Sequence, residues 1–547
     1  MNDARVDPRI RISALISVYH LCVQFLWRAL RTNAVLPLLL ALCLGRLWLM
    51  PLPSSFWIDE MVTAFVIKEG PKHPSLGVAP QVTKSIYYIL PRGAEALFGS
   101  SEISCRLPSI LAMGIALLLI ARLAARLIHP QAAWFAAFAC LALPGIDYEA
   151  ADARPYALGT CIAAAGLFFL VRWLDTAGWR EALLFTFFAA LLWRVHLVYW
   201  PVYIVFILYT AARIAGGKTR VTWLTTGGVF ALIALALAPV PTDALGLLRE
   251  TRAHVMDPPP TLGALARSLK FEFVVCCGVG TWLLSARRTV PARVQENANL
   301  APYRSNSPAS RWLSKSPSAA WPSGASFALI LGWWLCQPIG LFAFSHLTGG
   351  SVLVARYLSI ALPGAALAAT AAAGFFVAPA HWKRITIVLG AAALLLWGHW
   401  GAVWPRHDKT DWRAAAHRMN ELALAPDTPV ICPSPFVEAK PPVWRPDYTL
   451  PGFLYAHLLM YPIPGKPYLF PYEDSTEAKQ YAARLFQQTL STSGRFVIYG
   501  GERIVSLWRE WFGRQPELAG WRQRTLGLFG QTEVVMFENE LGAKSTR

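Results

Sequence analysis

The chain has 547 residues, 55% of them hydrophobic and only 15% charged, where soluble domains carry roughly 25% charged residues. Its net charge of +18 would point to nucleic acid in a soluble protein. The distribution excludes both an ordinary soluble chain and a nucleic-acid binder. The charge deficit is concentrated in the first 404 residues, and the positive charge falls in loops between apolar runs.

A membrane-spanning helix needs roughly 20 mostly apolar residues. Stretches of this kind recur at 33–50, 105–127, 131–146, 157–174, 181–195, 197–212, 222–240, 270–285, 326–347, 353–377 and 385–404. The expected fold is a polytopic α-helical membrane protein of about 11 spans over residues 1–404, followed by a small α/β domain over 405–547. An earlier apolar run, 12–27, holds His20 and Gln24 and is followed by Arg28 and Arg31. It reads as an amphipathic helix on the inner surface rather than a cleaved signal. Lys and Arg gather on the cytoplasmic side of membrane proteins. An inside N-terminus puts Arg122, Arg126, Arg172, Arg213, Lys218, Lys383 and Arg384 there, with Asp59, Glu60, Asp147, Glu149 and Asp152 opposite. An odd number of spans then leaves 405–547 outside.

Three outer loops stand out. Residues 51–104 form a long first loop, in which 82–98 read as an interfacial helix broken by Pro91. A short loop at 147–156 reads DYEAADARPY, and a third at 241–269 contains Pro258, Pro259 and Pro260. Residues 286–325 are rich in Ser, Pro, Arg and Asn and read as a disordered inner loop. Beyond Pro405 the pattern predicts a helix over 411–424, strands at 428–432 and 495–499, a helix at 504–512 and a terminal hairpin at 521–537. The Pro- and Tyr-rich stretch 433–475 reads as an irregular loop. The nine cysteines sit mostly in apolar spans, with Cys432 alone in the C-terminal part, so neither a disulfide framework nor a metal-type spacing is expected.

The sharpest chemical signal is Asp59-Glu60, two adjacent carboxylates just after the first span. A carboxylate beside a like charge and near an apolar boundary has a raised pKa and suits a general base. Three cations share that face: Lys84, Arg154 and Arg356. Cations near membrane depth are costly unless paired or functional, although snorkelling, or pairing of Arg154 with Asp152, would also account for them. Carboxylates and cations gathered at one face suit an anionic, membrane-borne substrate.

The sequence resembles the GT-C glycosyltransferases, in the branch of protein O-mannosyltransferases and lipid A aminoarabinose transferases. Asp59-Glu60 matches the Asp-Glu of that family's first outer loop. Lys84-Ser85-Ile86-Tyr87-Tyr88 is similar to its Lys/His-Pro-Pro-Leu-Tyr segment, with Ser85 and Ile86 in place of the prolines. Gly99-Ser100-Ser101-Glu102 and Arg106-Leu107-Pro108-Ser109 match its entry into the second span. Asp152-Ala153-Arg154-Pro155-Tyr156 is similar to Glu-Ala-Arg-Pro-Tyr, and His196 before Val198-Tyr199 to a Thr-His-Tyr segment. Arg356-Tyr357-Leu358 with Pro363 matches Arg-Tyr-Leu…Pro, and Asp411-Trp412-Arg413 the start of the C-terminal domain in many bacterial members.

The resemblance implies a GT-C fold in the bacterial inner membrane and a polyprenyl-phosphate-sugar donor. The acceptor would be an envelope glycolipid, polysaccharide or protein, reached at the outer, periplasmic face. It implies Asp59 as general base with Glu60 in support, and Lys84, Arg154 and Arg356 as ligands of the donor phosphate. Tyr87, Tyr156 and Tyr357 would orient donor or sugar, a position that an interfacial aromatic belt explains equally well. No metal ligand is assigned. A divalent ion at Asp59 or Glu60 stays open. The expected partners are the donor lipid, the acceptor and membrane lipids, not nucleic acid. The alternative is a lipid or polysaccharide transporter or flippase, but transporters usually show paired halves with broken helices, and no internal repeat is visible.

Overall fold

The computed structural model describes residues 34–70, 85–245, 258–286 and 323–539. The amphipathic segment 12–27, Lys84 and nearly all of the loop 286–325 lie outside the described residues.

Each of the eleven predicted stretches contains an apolar helix. Five are long and apolar enough to cross a membrane: Glu102–Leu127, Tyr156–Thr176, Leu197–Ala215, Gly324–Thr348 and Ala355–Gly374. The others, Val35–Leu49, Pro130–Leu141, Trp223–Leu237 and Phe271–Ser285 with Trp179–Val195 and Trp382–Trp397, are shorter. At about 1.5 Å per residue they fall short of a core of roughly 30 Å. The Ala355–Gly374 segment is the most enclosed of the five. Its Ala-rich face admits the neighbouring backbone directly: a Cβ on Gly364 would collide with the main chain of Trp333 and Trp334. Small residues at such crossings are how apolar helices gain packing without a hydrophobic drive between them.

The helix ends sort the charges. Arg126 and Arg213 both pair with Asp175, at 2.9 and 2.8 Å, so loops expected on the inner side meet at one end of the bundle. Asp59, Arg154 and Arg356 meet at the other, under the C-terminal unit. The segment 82–98 differs from expectation at Pro91. After a 3₁₀ turn at Ile86–Tyr88, the helix Ile89–Phe98 runs through Pro91 unbroken. Pro91 occupies the first turn, where amide groups have no intrahelical partner.

The C-terminal unit is a five-stranded sheet in the order β2-β1-β3-β5-β4. Strands β1 (Pro429–Pro433), β2 (Lys466–Phe470) and β3 (Arg495–Gly501) are parallel, and β4 (Trp521–Phe529) and β5 (Thr532–Asn539) form the antiparallel hairpin. The helices Trp412–Glu421 and Glu502–Gly513 fall where the periodicity placed them. The stretch 433–475, expected as a loop, contains β2 and the helix Ala456–Met460. β2 is a short edge strand containing Pro467, a residue that sheets tolerate only at edges, so its sequence lacks a strand signature.

This unit is bolted to the segment that follows the first apolar helix. Asp411 Oδ1 accepts from the Ala414 amide at 3.0 Å and caps a helix. Trp412 is fully buried in the core. Arg413 donates to the Pro53 carbonyl at 2.7 Å and pairs with Glu102 at 2.7 Å. Tyr461 donates to Glu102 Oε1 and accepts from the Phe56 amide, both at 2.8 Å.

Candidate active site

Asp59 is the second residue of a helix, Ile58–Lys68, whose N-cap is Trp57. Acidic residues in a first turn complement the helix dipole, which favours this sequence here. The Asp59 side chain opens into a cavity of about 640 Å³. Arg154 lines it from the turn before Tyr156–Thr176, and Arg356 and Tyr357 from the 3₁₀ segment Ala355–Ala361. Arg356 Nη1 lies 2.9 Å from Asp59 Oδ2, and Arg154 Nη1 donates to the Asp59 carbonyl at 3.1 Å. Asp59, Arg154 and Arg356, far apart in sequence, are thus brought into contact.

The aromatic candidates divide. Tyr357 lines the cavity. Tyr156 is buried behind it, with its ring 6.1 Å from Tyr357 and 6.0 Å from His196. The guanidinium groups of Arg154 and Arg356 sit over the Tyr156 and Tyr357 rings at 6.0 and 5.6 Å. Tyr87 is fully buried and does not line the cavity, whereas its neighbour Tyr88 does. The departure at Ser85 has a structural use: its hydroxyl donates to the Val195 carbonyl at 2.8 Å and accepts from the Tyr87 amide at 3.3 Å.

Glu60 does not stand beside Asp59 as a partner in the cavity. It is fully buried and clasped by Arg106, whose Nε donates to Oε1 at 2.7 Å and whose Nη2 contacts Oε2. The Ala153 amide donates to Oε1 at 2.8 Å. Arg106 also binds the carbonyls of Leu52, Ser54 and Ser55 at 2.7 to 3.1 Å. Burial alone would raise the Glu60 carboxyl, but the adjacent guanidinium outweighs it and holds the group below the usual carboxylate range. The roughly 100° step between consecutive helix residues sends the adjacent carboxylates in different directions: Asp59 to the cavity, Glu60 to the framework. Asp152 likewise turns away from Arg154 and accepts from Trp57 Nε1 at 3.0 Å. Glu149 is buried nearby. Desolvation and the Asp152 charge push its carboxyl well above the usual range.

Several lining residues carry no sequence signal strong enough to single them out: Tyr88, Arg194, Asp243, Phe436, Glu438 and Tyr472. Phe436, Glu438 and Tyr472 come from the stretch 433–475, which folds over the cavity mouth. His196 also lines it.

Residues 86–240 match the family described as dolichyl-phosphate-mannose-protein mannosyltransferase. No curated protein sequence matches. Among solved structures, ArnT from Cupriavidus metallidurans in the apo state is similar with a TM-score of 0.51 and 11% identity, over 91% of this chain and 97% of that one. The same protein bound to undecaprenyl phosphate gives 0.48 and 10%, with the same coverage. Arabinosyltransferase EmbB from Mycobacterium smegmatis gives 0.36 and 15%, over 68% of this chain and 31% of that one. The chain thus shares its fold with apo ArnT, and its residues 86–240 match the dolichyl-phosphate-mannose-protein mannosyltransferase family.

Proposed function

We propose that the protein transfers a sugar from a polyprenyl-phosphate-linked donor to a hydroxyl or phosphate of a cell-envelope acceptor, with Asp59 as general base. The observation that carries this reading is the meeting of Asp59, Arg154 and Arg356 in one cavity between the membrane helices and the C-terminal sheet. The donor class draws on the matched family, whose description names a dolichyl-phosphate-linked sugar. The C-terminal unit and the cavity face the periplasm, as the Lys and Arg distribution of the loops supports. Residues 1–404 act as the membrane module and 405–547 as the periplasmic one.

The chemistry follows from the charges. Arg356 and Arg154 take the donor phosphate, with Arg offering two parallel donors to its oxygens. A phosphate that engages Arg356 draws it from Asp59, so donor binding frees the carboxylate. Asp59 then accepts the proton of the acceptor hydroxyl. The acceptor oxygen bonds to the anomeric carbon as the bond from that carbon to the phosphate oxygen breaks. Polyprenyl phosphate leaves with the electron pair, and the arginines balance its charge. The phosphate is its own leaving group, so no strong general acid is required, in contrast to glycoside hydrolysis. Tyr357 and His196 form the wall against which the sugar is held, Tyr156 backs that wall, and Tyr87 packs edge-on against Tyr88, another lining residue. Lys84 belongs to the same outer segment and adds positive charge for the phosphate.

The test is transfer from synthetic polyprenyl-phosphate sugars by the purified protein, alongside mass spectrometry of envelope glycans with and without the gene. Donor turnover and a missing glycan modification support the reading. An intact glycan profile, with no turnover of any donor, overturns it.

A further inference from the structure

Behind the active-site wall, outside the cavity, lies a second cluster. Glu60, Asp152 and His407 each offer one atom, and these atoms lie within 4.8 Å of one another. All three residues are buried: Glu60 at 0%, Asp152 at 1% and His407 at 8% exposure. None lines the cavity. His407 Nε2 is 3.6 Å from Asp152 Oδ1, too long for a hydrogen bond. Neither His407 Nε2 nor Asp152 Oδ2 has a hydrogen-bond partner among the described residues, a costly arrangement for buried polar atoms. Two ligands held about 2.1 Å from one ion at a tetrahedral angle stand roughly 3.4 Å apart, close to the 3.6 Å between His407 Nε2 and Asp152 Oδ1.

We propose that Glu60, Asp152 and His407 form a structural site for a divalent transition-metal cation. One imidazole and two carboxylates suit Zn²⁺ or Mn²⁺. The groups around the three residues have the character of an outer shell. Arg106 and the Ala153 amide orient Glu60. Trp57 Nε1 orients Asp152. Tyr148 stacks on the His407 ring at a centroid distance of 4.2 Å, and the His407 amide donates to Ser54 Oγ at 3.1 Å. The longest contact to Glu60, from the Trp57 amide at 3.3 Å, is the one an ion would loosen. Among the described residues Asp152 makes no ion pair with Lys or Arg, and within the cluster its carboxylate lies 3.6 Å from the His407 imidazole.

The site joins three segments: the start of the helix bearing Asp59, the loop bearing Arg154, and the entry to the C-terminal unit. The ion would fix Asp59 against Arg154 without touching substrate. The proposal stands independently of the transfer reading, because its readouts are metal content and stability.

The experiment uses the full chain, purified in detergent through a tag without histidines and without chelator. Elemental analysis should find a single equivalent of metal per chain. Chelation should lower the melting temperature by several degrees, and added Zn²⁺ alone should restore it. H407A and D152N should each lose the metal. If those variants fail to fold, chelation and Zn²⁺ return on the wild-type chain still decide. A metal-free wild-type protein whose melting temperature ignores both chelator and Zn²⁺ overturns the proposal. A well-folded H407A chain that keeps its metal does so too.

Discussion

Arg356 and Asp59 lie 297 positions apart in sequence, yet their guanidinium and carboxylate meet at 2.9 Å across the cavity. The contact ties the expected phosphate ligand to the expected base. The first prediction follows from it. Asp59→Asn should lower transfer by about 10²–10⁴-fold, the usual contribution of a general base, while donor affinity stays near the wild-type value. The measurement is a transfer assay paired with donor-binding isotherms on monodisperse protein. Full activity in the variant would end the role of Asp59 as base, and lost donor binding would move the residue to recognition.

The arginines should behave in the opposite way. Arg356→Ala and Arg154→Ala should each weaken use of the donor by about 10²–10³-fold in kcat/KM, the scale of a preorganised charge contact worth ~3–4 kcal/mol. Arg356→Lys should recover only part of the loss, since an ammonium offers a point charge rather than a planar fork. Steady-state kinetics with varied donor decide. Unchanged kinetics in both alanine variants would remove them from the donor site.

Glu60 should behave as framework. Glu60→Gln leaves the Arg106 guanidinium buried without its counter-charge, a change that costs about 3–5 kcal/mol when one partner of a buried pair is removed. We expect low yield and a lowered melting temperature out of proportion to any kinetic change in the protein that survives. A Glu60→Gln variant of wild-type stability and greatly reduced turnover would instead return Glu60 to the chemistry.

His457 gives a pH test in the C-terminal unit. It is fully buried against Trp412, with a ring-centroid distance of 4.7 Å, and burial pushes its imidazole down to about 3. The folded state therefore keeps the ring neutral where the unfolded chain takes up a proton below its ordinary value near 6.5. Stability is unaffected by this group above that value. It declines as pH falls from 6.5 towards 3, by at most about 1.4 kcal/mol per pH unit. His457→Phe should flatten that part of the stability profile relative to wild type, as read by thermal unfolding between pH 7.5 and 4.5. Parallel profiles for the two proteins would refute it.

What the sequence by itself determined is set by solvent and local pattern. Apolar runs such as Gly324–Thr348 can satisfy their backbone only as helices in a lipid core, so the span sequence was legible. The strands and helices of the C-terminal unit with clear periodicity, 495–499 and 504–512 among them, were legible for a similar reason. So was the shared face of Asp59, Arg154 and Arg356, because loop order alternates sides of a membrane. The tertiary structure decided the rest. Glu60 and Asp59 are neighbours in sequence, but a helix turns them about 100° apart, and only the packed position of Arg106 shows which one is consumed by the framework. Tyr88 rather than Tyr87 reaches the cavity for the same rotational reason. Glu438 and Tyr472 joined the site because a Pro-rich stretch, without periodicity of its own, supplies the edge strand β2 of the sheet and is tied to itself by the Tyr472 amide donating to the Ala439 carbonyl at 2.8 Å.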